Sequence, residues 1–264
     1  TFTNQQFQVG ADANQTVSIT SISSARTSAL GASFSATTTG TAVNTTAISA
    51  GNVIINGVAI VDSTSDGVST ASATASAKAK AAAINATSGT GVTATANATN
   101  VAGTSMVGAA LTGTITINGV TTASTTVSAD LSASRIAVTA AINAISAATG
   151  VVATNTGADA TGVTLAAADG RNIVHSFTTL TAAATGVGAA ATTLGTLTLT
   201  TTGNTGITTT GTAAVIGSPA NATSTQTGTA LSVIDISGVS GANTAISSVD
   251  AALTTINSSR ASLG

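Results

Sequence analysis

Residues 52–60 read NVIINGVAI, and residues 114–122 read TITINGVTT. Each is a short apolar run interrupted by Asn-Gly. Asn and Gly accept the positive φ angles of a two-residue hairpin turn, so each stretch predicts strand–turn–strand. An Ala-rich stretch follows in both places and ends in Ile-Asn, at Ile84-Asn85 and at Ile142-Asn143. Alanine has the highest helix propensity, so a helix is expected there. Next comes a Gly-led alternating run, GVTATAN at 91–97 and GVVATN at 150–155, which predicts a further strand. The chain therefore contains an internal repeat of the form strand, turn, strand, helix, strand. The distance from Ile-Asn-Gly to Ile-Asn is four residues shorter in the second copy. On its helix, Leu131, Ile136, Val138, Ile142 and Ile145 are expected to share an apolar face that covers one side of a sheet.

Outside the repeats the signals are weaker. VTLAAADGRNI at 163–173 adds a strand and an Asp-Gly turn. In 194–216, Leu197 and Leu199 alternate with Thr, which reads as a third, degenerate β unit. Residues 31–50 are polar and Thr-rich without a clear period and read as a connection. Residues 217–230 carry the one proline, Pro219, and read as a loop. Near the start, Phe2, Phe7 and Val9 are separated by polar residues, and Val17, Ile19 and Ile22 continue after a break at 10–14, a hairpin signal. Residues 241–264 differ from everything before them. Ile246, Val249, Leu253, Ile256, Arg260 and Leu263 follow one another at alternating steps of three and four, the seam of a coiled coil. A lone helix with such a stripe needs a partner to cover it.

Composition narrows the function. Of 264 residues, 5% are charged and 2% aromatic, the net charge is −2, and there is no Cys, Trp or Tyr. Six Lys/Arg cannot form the basic stripe that nucleic acid requires. A disulfide scaffold or a cysteine zinc site is excluded. No apolar run is long enough to span a membrane as a helix. All eight acidic residues are Asp.

The residues that would carry chemistry are few. His175 is the one imidazole, so a triad or a histidine metal site is not expected, and it reads as a partly exposed strand or loop residue. Asp62–Gly67 (DSTSDG) resembles the first half of a calcium loop. Thr64 replaces a ligand and Ala73 stands where the twelfth-position Glu is needed, so an Asp-rich turn is the better reading. Lys78 and Lys80 read as exposed lysines that solubilise an Ala-rich helix. Gly89-Thr90-Gly91 lacks the Lys-Ser/Thr of a phosphate loop and reads as a turn. No enzyme activity, cofactor or metal is expected.

The two ends and the middle resemble one family. FQVGADANQTVSIT (7–20) and ARTSALG (25–31) look like the stretch that follows the N-terminal helices of bacterial flagellins. IDISGVSGANTAISSVDAALTTINSSRASLG (234–264) resembles the flagellin C-terminal core helix, with DAAL (250–253) and NSSRASLG (257–264) as its specific elements. The Ile-Asn-Gly repeats, their Ala-Ala-Ile-Asn helices and ADGRNI (168–173) are similar to a repeat of the family's outer regions. The resemblance implies an α+β fold. A core remnant at 1–32 and 231–264 would comprise a hairpin and a coiled-coil-type helix. A variable outer region at 33–230 would carry repeats at 51–100 and 113–173. It also implies that the family's long terminal helices lie outside this sequence, and that the chain is an extracellular, self-assembling subunit of the flagellar filament. Other flagellin subunits are then its partners through Phe7, Val9, Ile246, Val249, Leu253, Ile256, Arg260 and Leu263, while the chain by itself stays monomeric. The alternatives are a flagellin-like adhesin or glycan-binding protein, with a host receptor or surface glycan as partner, and a hook-associated protein.

Overall fold

The computed structural model describes residues 2–8, 16–22, 26, 30–49, 51–202 and 205–263. The fold is mixed α+β, with several antiparallel sheets and five helices among the described residues. The chain divides into two compact units, residues 1–36, 202–205 and 224–264 in one, residues 37–201 and 206–223 in the other.

The first unit begins with β1 (Phe2–Gln8) and β2 (Thr16–Ile22), which pair antiparallel with Phe2 opposite Ile22 and Phe7 opposite Val17. This is the expected hairpin; Val9 and the turn at 10–14 lie outside the described residues. β3 (Ser33–Ala42) follows. Its stretch was expected to be an irregular connection, and the structure corrects that. Threonine is β-branched and suits a strand, but a strand of alternating Thr and small residues has little hydrophobic period to detect.

The second unit holds both repeat copies. The first consists of β4 (Val53–Ile55), β5 (Val58–Ala59), α1 (Ala77–Ala86) and β6 (Val92–Ala96). After β7 (Thr99–Val101), the second consists of β8 (Leu111–Ile117), β9 (Val120–Thr121), β10 (Thr125–Val127), α2 (Leu131–Asn143), α3 (Ser146–Thr149) and β11 (Val152–Asn155). It continues through β12 (Val163–Ala167), β13 (Ile173–Thr178), α4 (Ala182–Thr185) and β14 (Ala191–Thr193). Both turns place Asn and Gly at positive φ, 49° and 80° at Asn56-Gly57 and 46° and 79° at Asn118-Gly119. Such angles match the twist of a two-residue hairpin. Ser76 caps α1 and Asp130 caps α2 by accepting a backbone N–H three residues on.

The second copy is completed in sequence order. β11 pairs with β12, Ala153 opposite Leu165, and β13 pairs with β8, His175 opposite Ile117. The first copy is completed by strands that come only after the second has ended, β15 (Thr196–Thr202) and β16 (Thr209–Gly211). Ala94 of β6 lies opposite Leu199 of β15, and Ile55 of β4 opposite Thr209 of β16. Leu197, Leu199 and Ile207 stand to the first copy as Val163, Leu165 and Ile173 stand to the second, at one constant offset, and all six are buried. The expected third, degenerate unit is therefore not a unit; it finishes the first copy. The second copy is nested between β6 and β15, which meet at its base where the Asn97 N–H donates to Thr196 O at 3.0 Å.

The core of the second copy joins Ile115, Ile117, Val138, Ile142, Leu165 and Ile173 with their neighbours. Ile136 departs from expectation, being 60% exposed. The face of α2 that packs inward runs through Ser134, Arg135, Val138 and Ile142, and Ile136 lies one residue out of phase with it. In the first unit, β17 (Thr225–Thr227) pairs with the start of β3, Thr227 opposite Ser33, and α5 (Val239–Leu263) ends the described chain.

Candidate functional site

The residue types of α5 distribute in an unusual way. Ser248 and Ala252 are buried, and Gly241, Thr244, Ala245, Ala251 and Thr255 are half-buried. These small residues recur at steps of three and four, so they form one face, and that face packs inward. The close approach is clearest at Gly31, which has φ +84°, and where an added Cβ would lie 3.0 Å from the Cβ of Ser248. Only a residue without a side chain fits there.

The large aliphatic residues of the same helix face solvent. Ile246, Val249, Leu253 and Ile256 are 38–63% exposed, and Arg260 is exposed beyond them. Val239 is exposed as well and extends the seam one heptad towards the start of the helix. Sequence reading missed it because small and polar residues separate it from Ile246. Leu263 is the last residue of α5, and Phe7 lies in β1; the side chains of these two are outside the described set, as is Val9 altogether. Burying one fully exposed aliphatic side chain of this size yields about 1.5–3 kcal/mol. Contiguous exposed apolar side chains of this kind mark candidate interaction surfaces. A cavity of about 400 Å³ beside α5 is lined by Gly31, Gly228, Asn243, Thr244 and Ser248, residues on or next to its small-residue face.

The titratable groups of the second unit are placed quite differently. Lys80, expected to be exposed, is fully buried. Its Nζ donates to the carbonyl oxygens of Asn44 and Val215, each at 2.7 Å, and burial pushes its ammonium down to about 8. The two acceptors come from distant segments, so the sequence around Lys80 carries no sign of them. Lys78 donates to Asp169 at 2.9 Å, and Arg171 grips the same carboxylate with Nε and Nη2. The Arg171 guanidinium, against the effect of burial and with help from Lys78, holds the Asp169 carboxyl well below the usual range. Arg135 is buried and bonds Asp159 and Asn155.

His175, expected to be partly exposed, is 2% exposed in β13. Its Nε2 lies 3.0 Å from Gly188 O, and its ring meets Phe177 edge-on. The calcium-like loop is closed on itself. Burial pushes the Asp66 carboxyl up, but hydrogen bonds from the Ser69 and Ser76 hydroxyls and from two backbone N–H groups outweigh it and hold the carboxyl below its ordinary range. Asn172 of the second copy reaches into the same loop, donating to Ala71 O and Ser72 O at 3.0 and 3.1 Å. No group of three or more His, Asp, Glu or Cys that could hold a metal occurs among the described residues.

No family model matches this chain, and no curated protein matches it. Among the described residues no helix is long and apolar enough to cross a membrane.

Proposed function

We propose that the chain is a structural subunit of the bacterial flagellar filament, a flagellin whose task is self-assembly. The observation that carries this reading is the orientation of α5, with small residues packed inward and the coiled-coil seam from Val239 through Ile246, Val249, Leu253 and Ile256 left open to solvent. The hairpin of β1 and β2, then the repeats, then the seam follow one another in the order that the family resemblance implies. In this reading helices of the family that lie outside the sequence, and those of neighbouring subunits, cover the seam in the extracellular filament. The nested repeat copies form the outward region. The work of the protein is association rather than bond chemistry. Supporting this, Lys80, Arg135, Asp169, Arg171 and His175 are all engaged in holding the fold together. Low charge suits dense lateral contact, because like charges held close together repel.

The test uses the parent open reading frame. The chain of 264 residues alone should remain monomeric in light scattering, and the parent protein with its terminal segments should polymerise when seeded. A parent protein that stays monomeric under seeding contradicts the proposal, as do filaments formed by the 264 residues alone.

A further inference from the structure

The asparagine that closes each repeat helix is spent on a strand. Asn85 Nδ2 donates to Ala94 O at 2.8 Å, and the Ala94 N–H donates to Asn85 Oδ1 at 2.8 Å. In the second copy Asn143 Nδ2 donates to Ala153 O at 3.0 Å, and the Ala153 N–H to Asn143 Oδ1 at 2.8 Å. A second device lies two residues earlier in each copy, at Val92 in β6 and at Val151 just before β11. The Val92 N–H donates to Thr90 Oγ1 at 3.2 Å, and the Val151 N–H to Thr149 Oγ1 at 3.2 Å. Four side chains at matching places in two copies thus engage the same backbone groups.

Those groups are the outward-facing ones of edge strands. Among the described residues β6 ends its sheet beside β15, and β11 ends its sheet beside β12. Ala94 lies opposite Leu199 and Ala153 opposite Leu165, yet both give their N–H and C=O to asparagine instead. Successive residues of a strand turn their polar groups to opposite sides, so these alternate positions form the row that an incoming strand would pair with. Neither asparagine is needed as a helix cap: the C-caps are Thr87 and Ala144, which bond through their own backbone N–H.

Of the usual protections of an edge, a neighbouring helix is present, α1 lying against β6 and α2 against β11, but charge and proline are not. The strands VTATA and VATN contain no charge and no proline, and Val152 is 53% exposed. An edge of this composition, once uncovered, invites pairing with another chain. In a protein with 5% charged residues, a side-chain amide that mimics a peptide group offers the same protection without charge.

We propose that Asn85 and Asn143 are edge guards, tying the ends of α1 and α2 to the backbone groups through which the edges of β6 and β11 would otherwise pair with those of a second copy of this chain. The inference is independent of the filament reading and would hold for any function of the nested unit.

The test is the double variant N85A/N143A in the full 264-residue chain, followed by size-exclusion chromatography with light scattering and by circular dichroism. The expected result is retained strand content and a concentration-dependent doubling of apparent mass. Adding Lys at the exposed edge positions, T95K and V152K, to the double variant should restore the monomer, since like charges on two approaching edges repel. A double variant that is monomeric at every concentration overturns the proposal. So does a monomer that has lost its strands, because the amides would then hold the fold rather than guard it. Association that survives the two lysines overturns it too.

Discussion

The nested repeats and α5 treat adhesive surface in opposite ways. In the repeats Ile115, Ile117, Val138, Ile142 and Leu165 are buried, Lys78, Arg135, Asp159, Asp169 and Arg171 form ion pairs, and the outer backbone groups of Ala94 and Ala153 are taken by asparagine amides. On α5 the small residues are buried and the large aliphatic ones are exposed. The same sparse set of residue types gives a filled aliphatic core in one region and a helix with its large side chains turned outward in the other. The lesson is that the open seam is not a by-product of composition. A chain that closes its strand edges with individual asparagines has also left a row of Ile, Val and Leu facing water.

The largest expected effect lies in the filled core. Ile142→Ala empties part of a fully buried site and should cost about 2–5 kcal/mol in denaturant unfolding. If Leu253→Ala on α5 cost as much, the contrast between the two regions would fail.

Next in size is the repeat turn. Asn118 sits at φ 46°, donates Nδ2 to Thr149 O and accepts the Val174 N–H. Asn118→Ala loses both bonds and keeps the positive φ, so a loss of about 2–3 kcal/mol is expected by chemical denaturation. Asn56, half-exposed with the same arrangement in the first copy, should cost less.

The buried cation gives a pH signature that α5 cannot give. The Lys80 ammonium is held at about 8 in the folded chain against an ordinary value of 10.5, so between these pH values the unfolded state binds more protons. Stability should therefore rise with pH across that window and be flat below it. The chain has no Tyr or Cys to obscure the effect. Lys80→Met should abolish the rise in the thermal midpoint; a slope that persists in that variant would show that Lys80 is not its source. At the other end of the scale, Asp169 is depressed by Arg171, so its contribution is present above the ordinary carboxylate range and lost as pH falls below it. This pair is partly exposed, and Asp169→Asn should cost only about 1 kcal/mol or less at neutral pH.

The smallest effect belongs to the seam. Leu253 is 52% exposed, so Leu253→Ala should change the stability of the isolated chain by about 0.5 kcal/mol or less.

The parts of the fold that sequence reading reached share a local cause. Asn-Gly at 56–57 and 118–119 imposes its own backbone angles, and the seam of α5 repeats over several turns. The parts it missed depend on distant chain. Lys80 is buried by carbonyls from Asn44 and Val215, and no feature of the helix sequence reports them. β15 and β16 complete a unit that begins far upstream, and their Thr-rich sequence preserves only Leu197, Leu199 and Ile207 of its pattern. On α5 the spacing of Ile246, Val249, Leu253 and Ile256 was legible, but that the small residues and not the large ones would face inward required Gly31 to be brought against Ser248. The role of Asn85 and Asn143 was hidden in the same way, since the repeat displays the two residues but not the strand edges that they meet.

The most direct test of the central claim is a charge placed in the seam of the longer parent protein that the filament proposal implies. Leu253→Asp should leave the unfolding midpoint of the 264-residue chain nearly unchanged and abolish seeded polymerisation of the parent protein in electron micrographs. Filaments of normal length and number from that variant would contradict the account.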